Sequence, residues 1–240
     1  MTPGSEAHAA PPTAPEPGPA RVRIWDLPTR LFHWVLVALI ATLWVSAARG
    51  WMTVHYACGV AALVLVLFRI AWGFLGSTTA RFAHFAAGPA RVLAYLRALR
   101  RGDLPHNAGH NPAGGWMVLA FLLLILAQAV LGLFANDEFD FKGPLAEWIS
   151  GKRSDRLTRI HVFLFDAILV CTWVHVCAIS YYALVRRENL VGPMWHGEKP
   201  ADRLPADTQL RFVPAVRAGI LLAAIAVGVV VLLMLRRLLE

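Results

Sequence analysis

The stretch RIHVFLFDAILVCTWVHVCAISYYALV, Arg159 to Val185, sets two histidines, His161 and His175, fourteen residues apart in an otherwise apolar run. At about 100° and 1.5 Å per residue, a helix brings the second imidazole to within about 40° of the first and about 21 Å along the axis. Both therefore face one stripe at two depths. Ionisable side chains inside a bilayer are costly and generally serve a pathway, a cofactor or an ion. The rest of the chain must supply whatever these two imidazoles meet.

Of 240 residues, 58% are hydrophobic and only 16% charged, and the mean hydropathy is +0.55. That is far more apolar than a soluble domain requires, so the expected fold is all-α, a polytopic helical bundle surrounded by membrane lipid. The net charge of +8 does not point to nucleic acid, because no basic stripe with interleaved aromatics stands apart from the apolar runs. The bases instead flank those runs, as cytoplasmic Lys and Arg do. Cys58, Cys171 and Cys177 all lie inside apolar runs without metal-type spacing and read as small reduced packing residues.

Residues 1–20 are rich in Pro, Ala, Gly and Ser without hydrophobic periodicity and read as a disordered tail. Residues 21–195 hold four spans. The first opens on RVRIWDLPTRLFHW, where Asp26 caps a helix, Pro28 sits in its first turn and the helix continues through Ala48. The others are Val54–Leu75, Gly114–Phe134 and Arg159–Val185; residues 196–212 read as a cytoplasmic linker, and 213–240 as a carboxy-terminal fifth span with its apolar run at Val213–Leu235. Each run reaches the roughly 20 residues that cross a hydrocarbon core. Val45-Ser46-Ala47 mimics a signal-cleavage site, but the long preceding tail and the internal Arg30, His33 and Trp34 fit a retained span.

With the amino terminus inside, the cytoplasmic segments collect Arg21, Arg23 and Arg30, then Arg81, Arg91, Arg97, Arg100 and Arg101, then Arg186, Arg187, Lys199, Arg203, Arg211 and Arg217. Outside remain Arg49, Lys142, Lys152, Arg153, Arg156 and Arg159, with Arg236 and Arg237 on the wrong side of the rule. Pro89–Arg101, with Val92, Leu93, Leu96 and Leu99 set against arginines, reads as an amphipathic helix along the cytoplasmic surface. In Gly109-His110-Asn111-Pro112, Asn111 can cap the third span with Pro112 in its first turn. The loop from Ala135 to Thr158, with Trp148, Asp137, Glu138, Asp140 and Glu147, is the largest external surface and the natural docking site for a partner.

Helix one runs outward and holds His33 near the cytoplasmic face, while helix two returns and holds His55 near the external face. Helix four also runs inward, so the expected pairs are His55 with His161 and His33 with His175. Two bis-imidazole sites stacked across a bundle are what two non-covalent b-type haems require, one axial nitrogen on each side of each iron. Zinc fits less well, since the spacing makes two distant pairs rather than one tetrahedral cluster. Gly59, one turn after His55, and Gly73, eighteen positions on, offer relief for a flat macrocycle. Arg30, three residues before His33, and Arg69, fourteen after His55, are candidate propionate partners, although Arg30 reads equally well as a cation snorkelling to the surface.

Weaker candidates remain open. Asp166 lies about 140° around from His161 and faces either another helix or a quinone pocket. Gln128 can bond a quinone carbonyl or a neighbouring helix. His84 and His110 read as solvated loop residues, and His8, His106 and His196 lie in polar contexts without an evident partner. Trp44, Trp51, Trp148, Tyr181 and Tyr182 read as interfacial anchors.

The strings VRIWDLPTRLFHW, VHYACGVAALVLVLFRIAWGFLGSTTARF, GHNPAGGWM, GLFAND and SDRLTRIHVF, with WVHV and RRENLVGPM, closely resemble the bacterial cytochrome b-561 superfamily, which includes the cytochrome b subunits of nickel-iron hydrogenases. The similarity runs from about Val22 to Met194. It implies a four-helix di-haem core with ligands at His33, His55, His161 and His175, and electron transfer between the quinone pool and a periplasmic partner, a c-type cytochrome or a hydrogenase-like oxidoreductase. It also implies the bacterial inner membrane. The Pro-rich tail and the fifth helix depart from the family pattern. The chain is then an electron-transfer subunit with quinone oxidation or reduction as its one conceivable enzymatic activity, and a homodimer is compatible with it. The rival readings are a histidine-lined proton or metal-ion transporter and a non-redox membrane anchor for an oxidoreductase.

Overall fold

The computed structural model describes residues 20–102, 106–137, 139, 141–206 and 208–238. The expected disordered tail, up to residue 19, and the loop acids Glu138 and Asp140 lie outside the described residues, as do the side chains of Arg236 and Arg237. In chain order the elements are strand β1 (Arg21–Arg23), helices α1 (Leu27–Ala48), α2 (Met52–Leu75), α3 (Phe82–Phe85), α4 (Pro89–Arg101), α5 (Pro112–Gly132), α6 (Gly151–Leu184) and α7 (Val191–His196), strand β2 (Glu198–Pro200) and helix α8 (Ala215–Leu238). Five of the helices, α1, α2, α5, α6 and α8, are long and apolar enough to cross a membrane.

The helix starts follow their local chemistry. Asp26 caps α1 by accepting from Thr29 N at 2.9 Å, and its other oxygen accepts from Trp72 Nε1 at 3.0 Å, which ties the start of α1 to the end of α2. Asn111 caps α5 by accepting from Gly114 N at 2.7 Å, with Pro112 in the first turn. These are the caps expected from sequence. Between α1 and α2 the chain reverses through Gly50, whose φ of +67° lies in the left-handed region that favours glycine.

One boundary differs. Helix α6 begins at Gly151, eight residues ahead of the expected Arg159. Hydropathy marks where a helix becomes apolar, not where it starts, and the first two turns are held by polar contacts instead. Asn136 Nδ2 donates to Ser154 Oγ at 2.6 Å, Ser154 Oγ donates to Phe134 O at 2.7 Å and Asn136 N donates to Thr158 Oγ1 at 3.0 Å.

Leu36 of α1, Leu65 and Val66 of α2, Leu122 and Ile125 of α5 and Ile168 of α6 form the central core. Helix α8 lies outside this bundle, where Ala218, Leu221, Leu222 and Ile225 pack on Phe68 and Trp72 of α2. The amphipathic α4 spans the expected residues; it buries Val92 and Tyr95 and leaves Leu93 and Leu96 exposed.

Residues 196–212, read from sequence as a cytoplasmic linker, carry a strand that is tied back to the segment ahead of α1. Strand β2 pairs antiparallel with β1, Val22 opposite Lys199, and Gly197 O accepts from Ile24 N at 2.8 Å and Trp25 N at 3.1 Å. The chain on either side of the expected boundary at 195/196 is thereby joined to the segment ahead of α1. Lys199, 6% exposed, is satisfied by Glu188 at 2.7 Å, as a buried cation must be. This ribbon marks one end of the bundle, called here the ribbon end; the α1–α2 turn and the α5–α6 loop mark the opposite, hairpin end. Tyr182, expected as an interfacial anchor, is an interior residue. It is buried at the ribbon end, hydrogen-bonded to the Tyr95 hydroxyl, and it accepts from Asn111 Nδ2 at 3.2 Å. Trp44, Trp51, Trp148 and Tyr181 are exposed.

Candidate functional site

The two expected histidine pairs meet. His55 of α2 and His161 of α6 have ring centroids 6.2 Å apart at the hairpin end; His33 of α1 and His175 of α6 lie 6.4 Å apart at the ribbon end. The central core of Leu36, Leu65, Val66, Leu122, Ile125 and Ile168 fills the space between the levels. Among the described residues, no group of three or more His, Cys, Asp or Glu forms a cluster suited to a metal ion. The site is two pairs, not a cage.

At the hairpin end both imidazoles are fixed through one nitrogen. His55 Nδ1 lies 3.0 Å from Leu43 O, with Ser46 Oγ at 3.4 Å, and His161 Nδ1 lies 2.9 Å from Gln128 O. A carbonyl oxygen can only accept, so each Nδ1 carries the proton and each Nε2 keeps its lone pair. That is the tautomer and the orienting bond that metal-binding histidines use. Gln128 contacts His161 Nε2 through its amide nitrogen at 3.3 Å, while its Oε1 is buried without a partner. The glutamine thus serves an interhelical contact at this site.

The ribbon-end pair is held by packing. His33 stacks edge-on against Trp34 at 4.8 Å and His175 against Phe121 at 5.9 Å, and His33 Nδ1 is buried with no hydrogen-bond partner. An unmet buried donor or acceptor costs about 1–3 kcal/mol.

The two arginines differ. Arg30 Nη1 donates to Trp195 O at 2.5 Å, tying α1 to α7, and its Nε is buried without a partner. Arg69 is 2% exposed. Its guanidinium carbon lies 5.6 to 6.0 Å from the rings of Phe32, Phe82 and Phe85, and both Nη1 and Nη2 lack an acceptor. Aromatic faces ease a buried cation but do not satisfy its N–H groups.

Of the glycines, Gly59 has open space beside it: a Cβ there would meet nothing within 4 Å. Gly73 does not serve a macrocycle, because the ring of Phe82 occupies the place its Cβ would take. Sequence reasoning missed Gly132, where a Cβ would lie 3.1 Å from His161 Cε1. Its signal was faint, a glycine near the end of an apolar run.

His110 corrects a second reading. It is not a solvated loop residue: its ring packs between Trp25 at 4.7 Å and Phe85 at 4.9 Å, and its Nδ1 is buried and unpartnered. Burial first, then the nearby Arg69 charge, push its pKa down to about 3. His84 is exposed, as are His106 and His196. Asp166 is exposed on α6 and, among the described residues, has no hydrogen-bond or ion-pair partner. Cys58, Cys171 and Cys177 are free thiols.

Two imidazoles that bind one metal ion from opposite sides, each through a bond of about 2 Å, put their nitrogens about 4 Å apart and their ring centres about 6 Å apart. Both pairs have that separation. Helix α6 packs along α5 and is not among the close backbone neighbours of α1 or α2, so the paired rings bridge a space between helices. The oriented Nδ1 protons, the unprotonated Nε2 atoms of His55 and His161, the open flank of Gly59 and the orphaned Arg69 together fit an apolar, disc-shaped group with acidic substituents.

Comparison with known proteins agrees in kind. The family model of prokaryotic cytochrome b561 matches residues 24–197. The probable Ni/Fe-hydrogenase B-type cytochrome subunit of Rhizobium leguminosarum bv. viciae is 23% identical over 212 residues, covering 74% of this chain and 88% of that protein.

Proposed function

Because the chain belongs to the prokaryotic cytochrome b561 family and is a multi-pass membrane b-type cytochrome, we propose that it carries electrons between a redox enzyme on the periplasmic side and the quinone pool. Two b-type haems are held in this reading, one by His55 and His161 and one by His33 and His175. The observation that carries it is the pair of centroid separations, 6.2 and 6.4 Å, at two levels of one bundle. Bound haem iron supplies one-electron chemistry; the protein supplies position and surroundings.

The residues divide that work. The main-chain oxygens of Leu43 and Gln128 orient the hairpin-end imidazoles, and Trp34 and Phe121 wall in the ribbon-end ones. The apolar core between the levels excludes water, which tunes potential. Gly59 makes room beside His55, and Arg69, with the free Nε of Arg30, offers positive charge for propionates. The bundle occupies the bacterial inner membrane with its amino terminus in the cytoplasm, so the hairpin end is periplasmic. There the loop from Ala135 to Thr158 receives the partner, a c-type cytochrome or, as the name of the Rhizobium protein suggests, a hydrogenase-like enzyme. Quinone exchanges electrons with the other end, and a second copy of the chain is a further possible neighbour.

The test is haem stoichiometry in purified protein with each of the four histidines replaced in turn. Two haems per chain with a b-type band, falling to one in every single variant, is the expected result. A wild-type preparation without that band would overturn the reading, and so would a variant that keeps both haems. Transport of protons or metal ions by such chromophore-free protein in liposomes would point to the rival transporter.

A further inference from the structure

We propose that Arg69 and His110 together form a carboxylate-binding site at the ribbon end of the bundle, and that its occupant is a propionate of the haem held by His33 and His175. The inference rests on the di-haem reading and adds to it a residue from outside the spans.

The site is defined by donors that have nothing to donate to. Arg69 Nη1 and Nη2 and His110 Nδ1 are all buried without a hydrogen-bond partner. Both residues lie against one side chain, the Arg69 guanidinium 5.9 Å from the Phe85 ring and the His110 ring 4.9 Å from it, and the Arg69 charge reaches His110. Asp26 is the acid whose charge acts on Arg69, but its hydrogen bonds are made with Thr29 N and Trp72 Nε1. No acidic side chain forms an ion pair with Arg69 among the described residues. A guanidinium only 2% exposed with both terminal nitrogens idle is costly unless an anion completes it.

The chemistry of the donors selects the anion. Burial keeps His110 neutral, so the site offers one cation and one imidazole whose neutral form can carry its proton on the unpartnered Nδ1. A carboxylate, acceptor-only with two oxygens, matches a guanidinium edge and leaves a lone pair for the imidazole. The level is right as well. Arg69 follows His55 by fourteen residues, about 21 Å along α2, and Phe32, neighbour in sequence to the proposed ligand His33, is one of the rings facing its guanidinium.

The fold fixes His110 there. A Cβ on Gly115 would lie 2.6 Å from Phe85 O, and one on Gly109 would lie 3.4 Å from the Trp25 ring. Gly115 thus lets the α5 start lie flush against α3, while Gly109 sits at van der Waals distance from the segment ahead of α1. The ring is clamped between Trp25 and Phe85, which leaves it little freedom to seek another partner.

The experiment uses the full-length haem-loaded protein and four variants: His110→Leu, His110→Gln, Arg69→Met and Arg69→Lys. Haem per chain, the two midpoint potentials and the propionate bending bands in resonance Raman spectra are measured. His110→Leu should keep both haems, lower one of the two potentials and shift one propionate band, because an unscreened carboxylate disfavours adding an electron. His110→Gln, which restores an N–H donor, should return both readouts towards wild type. Arg69→Met should move the same potential further or lose that haem, and Arg69→Lys should move it less. Unchanged potentials and Raman bands in haem-replete His110→Leu and His110→Gln would overturn the site, as would equal shifts of both haems. If His110→Leu fails to assemble, His110→Ala takes its place and is judged by the same two outcomes. Wild-type protein lacking haem would overturn the parent reading instead.

Discussion

The two histidine pairs share one helix and nearly one spacing, yet they are supported by different forces. At the hairpin end, Leu43 O and Gln128 O fix the proton and ring plane of His55 and His161 at 3.0 and 2.9 Å. At the ribbon end, His33 Nδ1 has no partner, and aromatic rings hold the imidazoles in place. Main-chain hydrogen bonds survive side-chain substitution, whereas packing does not. The hairpin-end pair should therefore tolerate changes among its neighbours as long as the rings keep their space, and the ribbon-end pair should respond to the residues around it. One bundle can in this way hold two similar centres at different potentials.

Replacing the imidazoles themselves is the harshest trial of that contrast. His55→Ala or His161→Ala should empty the hairpin-end level alone, and His33→Ala or His175→Ala the ribbon-end level alone, each measured as haem per chain and as disappearance of one of two redox waves. Loss of both waves from a single replacement would mean that the levels depend on each other, and that the hydrophobic core between them is not the insulating layer its composition suggests.

Crowding a ring should have the next largest effect. A Cβ at Gly132 would approach His161 Cε1 to 3.1 Å, so Gly132→Ala must displace the imidazole or bend its bond to Gln128 O. Second-sphere damage of this kind weakens metal binding by about 10–100-fold. Haem retention on dilution should fall for the hairpin-end wave only. Gly59→Leu should act on the same wave by filling the open flank, while Gly73→Ala should disturb Phe82 and the fold without favouring either level.

These glycines show what the sequence could and could not say. The helix starts at Asp26-Leu27-Pro28 and Asn111-Pro112 were legible because caps are local chemistry, and the histidine pairs because helical periodicity and membrane direction fix depth. Contacts made across the bundle were not. Gly73 and Gly132 are alike in sequence, and only the arrival of Phe82 at one and His161 at the other separates them. The β1–β2 ribbon joins Arg21–Arg23 to Glu198–Pro200, a pairing that short, polar, charge-rich strands do not announce. His110 looked solvated because its neighbours Trp25 and Phe85 come from segments 85 and 25 residues away in the chain.

A gentler effect follows from that burial. The folded protein holds His110 at about 3 against an ordinary 6.5, from burial first and then from Arg69, with His175, His84 and His33 adding to it. The unfolded chain takes up this proton near 6.5 and the folded one only near 3, so stability is lost as pH falls through that window and is unaffected above it. The slope is at most about 1.4 kcal/mol per pH unit. Melting of haem-depleted protein in detergent should therefore drop between pH 6.5 and 4, and His110→Leu should flatten the drop. Haem-loaded protein should show a shallower slope, since a carboxylate beside His110 raises its proton affinity. An equally steep slope in both forms would place the ribbon-end acidic groups away from His110.

The smallest effect is expected on the back of α6. Asp166 follows His161 by five residues and precedes His175 by nine, which puts it about 140° and 180° from their directions. It is exposed and unpartnered among the described residues, so neither pair depends on it. Asp166→Leu should leave haem per chain and both potentials at their wild-type values, as redox titration would record. Its consequence lies in the surroundings: an ionised Asp at the centre of a span costs about 2.5–3.5 kcal/mol, and the leucine variant should insert into membranes at least as well. A shift in either potential would show that the outer face of α6 reaches the histidine stripe through the helix, and the contrast between the pairs would then have to include what covers that face. Slower quinone turnover with both haems and both potentials intact would instead locate quinone beside Asp166, outside the space the histidines enclose.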